Sequence, residues 1–185
     1  MPLKLKEYLD SDWARLCLLL EKPGKHRRFV SHFGPRFAPV TLLRCAQAAH
    51  FRGFHRLAKI FSLINFILFN LEVPARLPIG PGIVIPHPQG IVLGACSIGS
   101  NATIFHQVTL GGRVADFVYD PNKRPRVGDN VTISVGAKIL GSIELGDGCV
   151  IGANAVVLSD VPPRSLAVGV PAVNLILKIE TYSDE

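Results

Sequence analysis

Two histidines in the middle of the chain, His87 in PHPQGIV and His106 in FHQVTLGG, are placed to do proton chemistry. A hydroxyl is a poor nucleophile at neutral pH, and activating one needs a base that titrates near pH 7 within hydrogen-bond reach. The other four histidines, His26, His32, His50 and His55, come earlier and show no metal-like clustering; packing or surface roles are expected for them. Two histidines in the central region are too few for a three-ligand metal site within one chain, so no metal is expected. The four cysteines, Cys17, Cys45, Cys96 and Cys149, contain no CxxC pair and no zinc spacing. Reduced thiols in a cytoplasmic protein are the expectation.

A formal net charge of +6 suits anionic partners, including phosphorylated cofactors. No basic run is interleaved with stacking aromatics, which argues against single-stranded nucleic acid. The N-terminus, MPLKLKEYLDSDW, carries charges where a secretory signal needs an apolar core. The most apolar run, Ile60 to Leu71, is broken by Ser62, Asn65 and Asn70 and is shorter than the ~20 residues that span a bilayer. Membrane contact is therefore expected to be peripheral at most.

The elements that must carry the two histidines follow from a change of pattern along the chain. Residues 1–73 read as a helical region, with Ser11-Asp12 as a candidate cap and Leu16, Leu19 and Leu20 at helical spacing. Further helices are expected from about Val40 to Phe51 and from about Phe54 to Leu71. From Ile79 onward aliphatic residues recur every six positions: Ile79, Ile85, Ile91, then Ile98, Ile104 and Leu110 after one extra residue. The register resumes with Val127, Ile133, Ile139, Leu145, Ile151 and Val157. Small or aliphatic residues stand four places after many of these, at Ala102, Val108, Val131, Ala137, Cys149 and Ala155. A fixed short period implies a solenoid in which each unit is a short strand plus a turn and three units close a triangular coil. Cys149 then falls on an interior small position as a packed thiol. The helical region caps one end.

The stretches IGPGIVIPHPQGIVLG, VTLGG, VGDNVTISVGAKILGSIELGDGCVIGANAVVLSDVPP and VGVPA resemble the serine acetyltransferase branch of the hexapeptide-repeat acyltransferases. The resemblance implies a mainly β chain: a left-handed parallel β-helix over residues 74–173, a short N-terminal α-helical region, and a tail at 174–185. It further implies acetyl-CoA as donor, and a homotrimer with active sites between subunits. His87 is the implied general base. Glu72, fifteen residues earlier, is the implied carboxylate that orients it. The interruption at 113–126 matches a loop that the family extrudes over the active site. Lys123 and Arg124 at its end match acceptor-binding positions, and His106 is a further candidate for the acceptor pocket. Gly112, Ser134, Val135, Gly152 and Ala153 match the positions that line the cofactor groove, with Arg164 and Lys178 as candidates for the CoA phosphates.

Three departures from the serine-specific pattern shift the expected acceptor to a sugar or polysaccharide hydroxyl. Pro86 replaces an acidic residue before His87, Lys123-Arg124 replaces an Arg-His pair, and the helical region is short. Serine acetylation is the alternative, and a non-catalytic scaffold is the third reading.

Overall fold

In a computed structural model of the chain, the structure describes residues 4–114 and 118–176. Three α-helices precede the repeats: α1 Leu5–Leu19, α2 Ala38–Phe51 and α3 His55–Phe69. Helix α1 starts well before Ser11-Asp12, with the Glu7 carboxylate accepting from the Lys4 backbone N–H at 2.8 Å. Asp12 is thus a mid-helix residue rather than a cap, and its carboxylate is used elsewhere.

Strand β1, Leu71–Glu72, follows α3 after one left-handed residue, Asn70. The solenoid therefore begins at Leu71, ahead of residue 74. Its strands fall into three sheets, and these are the faces of a triangular prism. Face A holds β1, β2 (Ile91–Leu93), β5 (Thr109–Gly111), β8 (Lys138–Leu140) and β11 (Val156–Val157). Face B holds β3 (Ser97–Ile98), β6 (Arg126–Val127) and β9 (Glu144–Leu145). Face C holds β4 (Thr103–Ile104), β7 (Thr132–Ile133), β10 (Val150–Ile151), β12 (Ser165–Gly169) and β13 (Ala172–Ile176). All pairings are parallel except β12 with β13, which fold back as an antiparallel pair whose last three residues, 174–176, lie in the expected tail.

The period-six residues fill the interior. Ile85, Ile91, Ile104, Leu110, Ile133, Ile139 and Ile151 have no exposed surface, and neither do Ala102, Val108, Val131, Ala137, Cys149 and Ala155. The small class is confined there because stacked coils leave no room for a longer side chain beside each aliphatic.

Two corners of the prism turn through left-handed backbone. At the B–C corner the residues are Gly82, Asn101, Asn130, Gly148 and Arg164; at the C–A corner they are Gly90, Gln107, Gly136 and Asn154. Glycine and asparagine recur because an L side chain in this region crowds the following carbonyl. At Gly136 the limit is also one of space, since a Cβ would stand 2.0 Å from the Asn154 side-chain oxygen.

The helices are joined to the first coil by one buried cluster. The Arg44 side chain is fully buried, and its guanidinium donates to Asp12 at 2.8 and 3.0 Å, to Gln47, and to the carbonyls of Ile79 and Gly80. The same Asp12 carboxylate accepts from the backbone N–H groups of Gly82 and Ile83 at 2.8 and 3.0 Å. Gln47 donates to the Leu77 carbonyl, and Tyr8 stacks on the Arg44 guanidinium.

Candidate active site at the prism edge

His87 and His106 come together on the C–A corner, although nineteen positions separate them. The register Val84 with Thr103 places His106 one coil above His87, and the rings meet edge to face with centroids 5.7 Å apart. From Val84 to Val92 the chain takes eight steps, where Thr103 to Thr109 takes six. The extra residues lie in the His87-Pro88-Gln89-Gly90 turn, which bulges from the edge and leaves His87 exposed. The Gln89 carbonyl accepts from the Gln107 N–H at 2.9 Å and fixes the turn on the next coil. His106 is half buried, and its Nδ1 is buried with no hydrogen-bond partner among the described residues. A buried polar atom without a partner costs free energy, so this ring is suited to receive a donor or acceptor from a bound molecule.

The same corner continues into four of the expected cofactor positions. The pairing of Thr103 with Thr132, and of Thr132 with Val150, stacks Val135 and Ala153 above His106, with Ser134 and Gly152 beside them. These side chains are small and partly or fully exposed. Gly152 has no space for a side chain, because a Cβ would lie 2.6 Å from Val168 Cγ1. A narrow edge of small residues running away from a histidine fits an extended chain bearing amides, with its reactive end at the imidazole.

The other candidates lie elsewhere in the chain. Gly112, Lys123 and Arg124 are on the A–B corner, across face A from His87. Lys123 is exposed, 3.8 Å from Asp120. Arg124 donates to the Gly94 carbonyl at 3.1 Å, and its guanidinium stacks on one side of the Tyr119 ring while Arg76 stacks on the ring as well, each at 4.0 Å. Arg113 reaches down this corner to the Leu158 carbonyl. Arg164 is on the B–C corner, on the third edge, and Lys178 lies outside the described residues.

Glu72 is exposed on face A in register with Val92. It makes no hydrogen bond or ion pair with His87 in the described residues. Instead it lines a cleft of about 690 Å³ between α3 and the start of face A, together with His50, His55, Lys59 and Arg76. The His50 and His55 rings approach with their Nδ1 atoms 3.3 Å apart. Burial first, and then the electrostatic influence of His55 and Arg76, hold the His50 imidazole below its ordinary value. The sequence gives no signal for this cleft or for the Arg76–Tyr119–Arg124 stack, because each joins segments with unrelated spacing.

Comparison with known proteins places this geometry. The bacterial transferase hexapeptide family (six repeats) matches residues 124–159. The chain is similar to a serine acetyltransferase of Helicobacter pylori (strain J99 / ATCC 700824), 37% identical over 166 residues, which cover 89% of this chain and 95% of that relative. It is also similar to a solved serine acetyltransferase in complex with CoA (28% identity, TM-score 0.78, covering 92% of this chain and 69% of that one). Soybean serine acetyltransferase complexed with serine is 37% identical, with a TM-score of 0.69, over 75% of this chain and 56% of that one.

These similarities overturn the expectation of a sugar or polysaccharide acceptor. The short helical region was one of its supports, yet a serine acetyltransferase is matched over nearly its whole length by this chain. The remaining supports, Pro86 and the Lys123-Arg124 pair, are differences of single residues, and Lys123-Arg124 keeps positive charge where the family has an Arg-His pair. From its coils, its edge and these relatives, the chain belongs to the serine acetyltransferase branch of the hexapeptide-repeat acyltransferases, with a left-handed β-helix and acetyl-CoA as acetyl donor for an O-acetyltransferase reaction.

Proposed function

We propose that this protein transfers acetyl from acetyl-CoA to the side-chain hydroxyl of serine. The observation that carries the reading is the match to a serine acetyltransferase over 95% of that protein's length.

In this reading His87 takes the proton of the serine hydroxyl as the oxygen attacks the thioester carbonyl. The carbon–sulfur bond breaks, and the imidazolium returns its proton to the departing thiolate. No acyl-enzyme is needed. The exposed bulge that presents His87 and the small-residue edge of Ser134, Val135, Gly152 and Ala153 support a cofactor arm lying along the corner. His106 faces the acceptor from one coil above. Glu72 is the orienting carboxylate, reached by rotation of its exposed side chain rather than held in place beforehand.

Lys123 and Arg124 stand across face A from His87, so one chain does not assemble both halves of the pocket. We therefore place the acceptor carboxylate between the His87 edge of one subunit and the loop of the next, in a cyclic homotrimer. Gly112 and Arg164 would meet the cofactor from the same neighbour or from the open end of the groove.

The test is release of free CoA from acetyl-CoA, followed by thiol detection, with and without serine. Turnover with serine well above the rate of hydrolysis is expected. A folded protein that binds acetyl-CoA yet shows no serine-dependent release would overturn the acceptor assignment.

A further inference from the structure

Helix α3 shows an inverted pattern. Its apolar stripe at i, i+3, i+4 and i+7, formed by Ile60, Leu63, Ile64 and Ile67, faces solvent, with Ile60, Leu63 and Ile67 all more than half exposed. Its inward face instead carries Ala58 and Asn65, and the Asn65 amide donates to the Pro39 carbonyl. A helix that turns such a stripe outward has a second apolar surface to meet.

The charge around the stripe indicates what that surface is. From Lys22 to Leu71 the chain carries nine Lys and Arg and no Asp or Glu. The other eleven Lys and Arg are outnumbered by the fourteen acids. Arg56 heads the stripe itself, one turn before Ile60, and Arg52 lies just ahead of it. Phe51 and Phe54 are exposed beside them. The short 3-10 turn Phe29–Phe33 repeats the combination, with Phe29, Val30 and Phe33 exposed beside Arg27, Arg28 and Arg36. A second copy of this chain would bring an equally basic, acid-free segment to the contact. An anionic bilayer surface supplies both the apolar depth and the opposite charge.

We infer that the α3 face docks on anionic lipid, with Ile60, Leu63, Ile64 and Ile67 in the interface and Arg52 and Arg56 at the phosphates. The helix lies along the surface and does not cross it. At 15 residues it is too short to span, and among the described residues no helix is long and apolar enough to cross a membrane. The inference goes beyond the acetyl-transfer reading and does not depend on it.

The experiment is flotation of the full chain with vesicles of phosphatidylglycerol and phosphatidylcholine, and with phosphatidylcholine alone. Co-flotation with the anionic vesicles only, falling as salt rises, is expected. The double variant Arg52→Gln/Arg56→Gln should lower partitioning roughly fivefold for each charge removed. Ile60→Ser/Ile67→Ser should abolish it while leaving CoA release in solution unchanged, because both side chains are exposed and neither lines the Glu72 cleft. Absence of binding to either vesicle would overturn the inference, as would equal binding to both. A fall in subunit number by light scattering in Ile60→Ser/Ile67→Ser, with no vesicle binding by the unaltered chain, would assign the face to a contact between copies instead.

Discussion

His87, the proposed base, is held out from the edge by a turn two residues longer than the one above it. Replacing it removes the only candidate base on the bulge. His87→Ala is expected to lower acetyl transfer by about 10²–10⁴-fold, with CoA binding by calorimetry unchanged. Glu72→Gln should cost less, because the base survives and only its orientation suffers. A pH–rate profile checks this, since loss of an orienting carboxylate displaces the acidic limb, where the base becomes protonated, while loss of a purely structural residue does not. Cys149 makes the opposite case at the same scale. Burial pushes its thiol up to about 11, which leaves about one thiolate in a thousand at pH 8. In the native protein at that pH, iodoacetamide should leave Cys149 unmodified by mass spectrometry, and unfolding in urea should expose it.

At the level of elements, the helical cap and the first coil are held by the Asp12–Arg44 cluster. Arg44→Ala leaves a buried carboxylate facing only two backbone N–H groups and Gln47 without its donor. Truncating one partner of a buried pair costs about 3–5 kcal/mol, so the urea midpoint should fall with the slope of the transition preserved. The corner ladders set a second limit. Gly136→Ala combines a left-handed backbone with a Cβ in the place of the Asn154 oxygen, and it should cost about 1–3 kcal/mol. A Gly136→Ala protein with unchanged thermal stability would show that this corner relaxes freely.

For the whole molecule, the separation of the His87 edge from the Lys123-Arg124 edge makes the proposed site a property of the assembly. A protein carrying His87→Ala and another carrying Lys123→Gln/Arg124→Gln should each be nearly inactive. Random reassociation of the two in equal amounts would give about a quarter of the unaltered activity, because a quarter of the sites then pair an intact His87 with an intact loop. No recovery after verified mixing would place both halves of the pocket within one chain.

The period of six determined much of this protein before any coordinates. Interior aliphatic and small positions repeat because every coil meets the same space, so Ile85, Ile133 and Cys149 were legible as core from spacing alone. His87 entered as the implied base through the resemblance of its His-Pro-Gln-Gly-Ile-Val segment to the family, and not through the period. Only the tertiary structure decided which candidates share an edge. His106 joins His87 because the coil between them takes nineteen residues, the bulged turn adding two of these, whereas Lys123 and Arg124 are near in sequence to Ser134 yet lie across a face from it. Asp12 and Arg44 were illegible for the same physical reason. A buried ion pair between a helix and a coil has no period, and the backbone N–H groups it satisfies belong to residues seventy positions away.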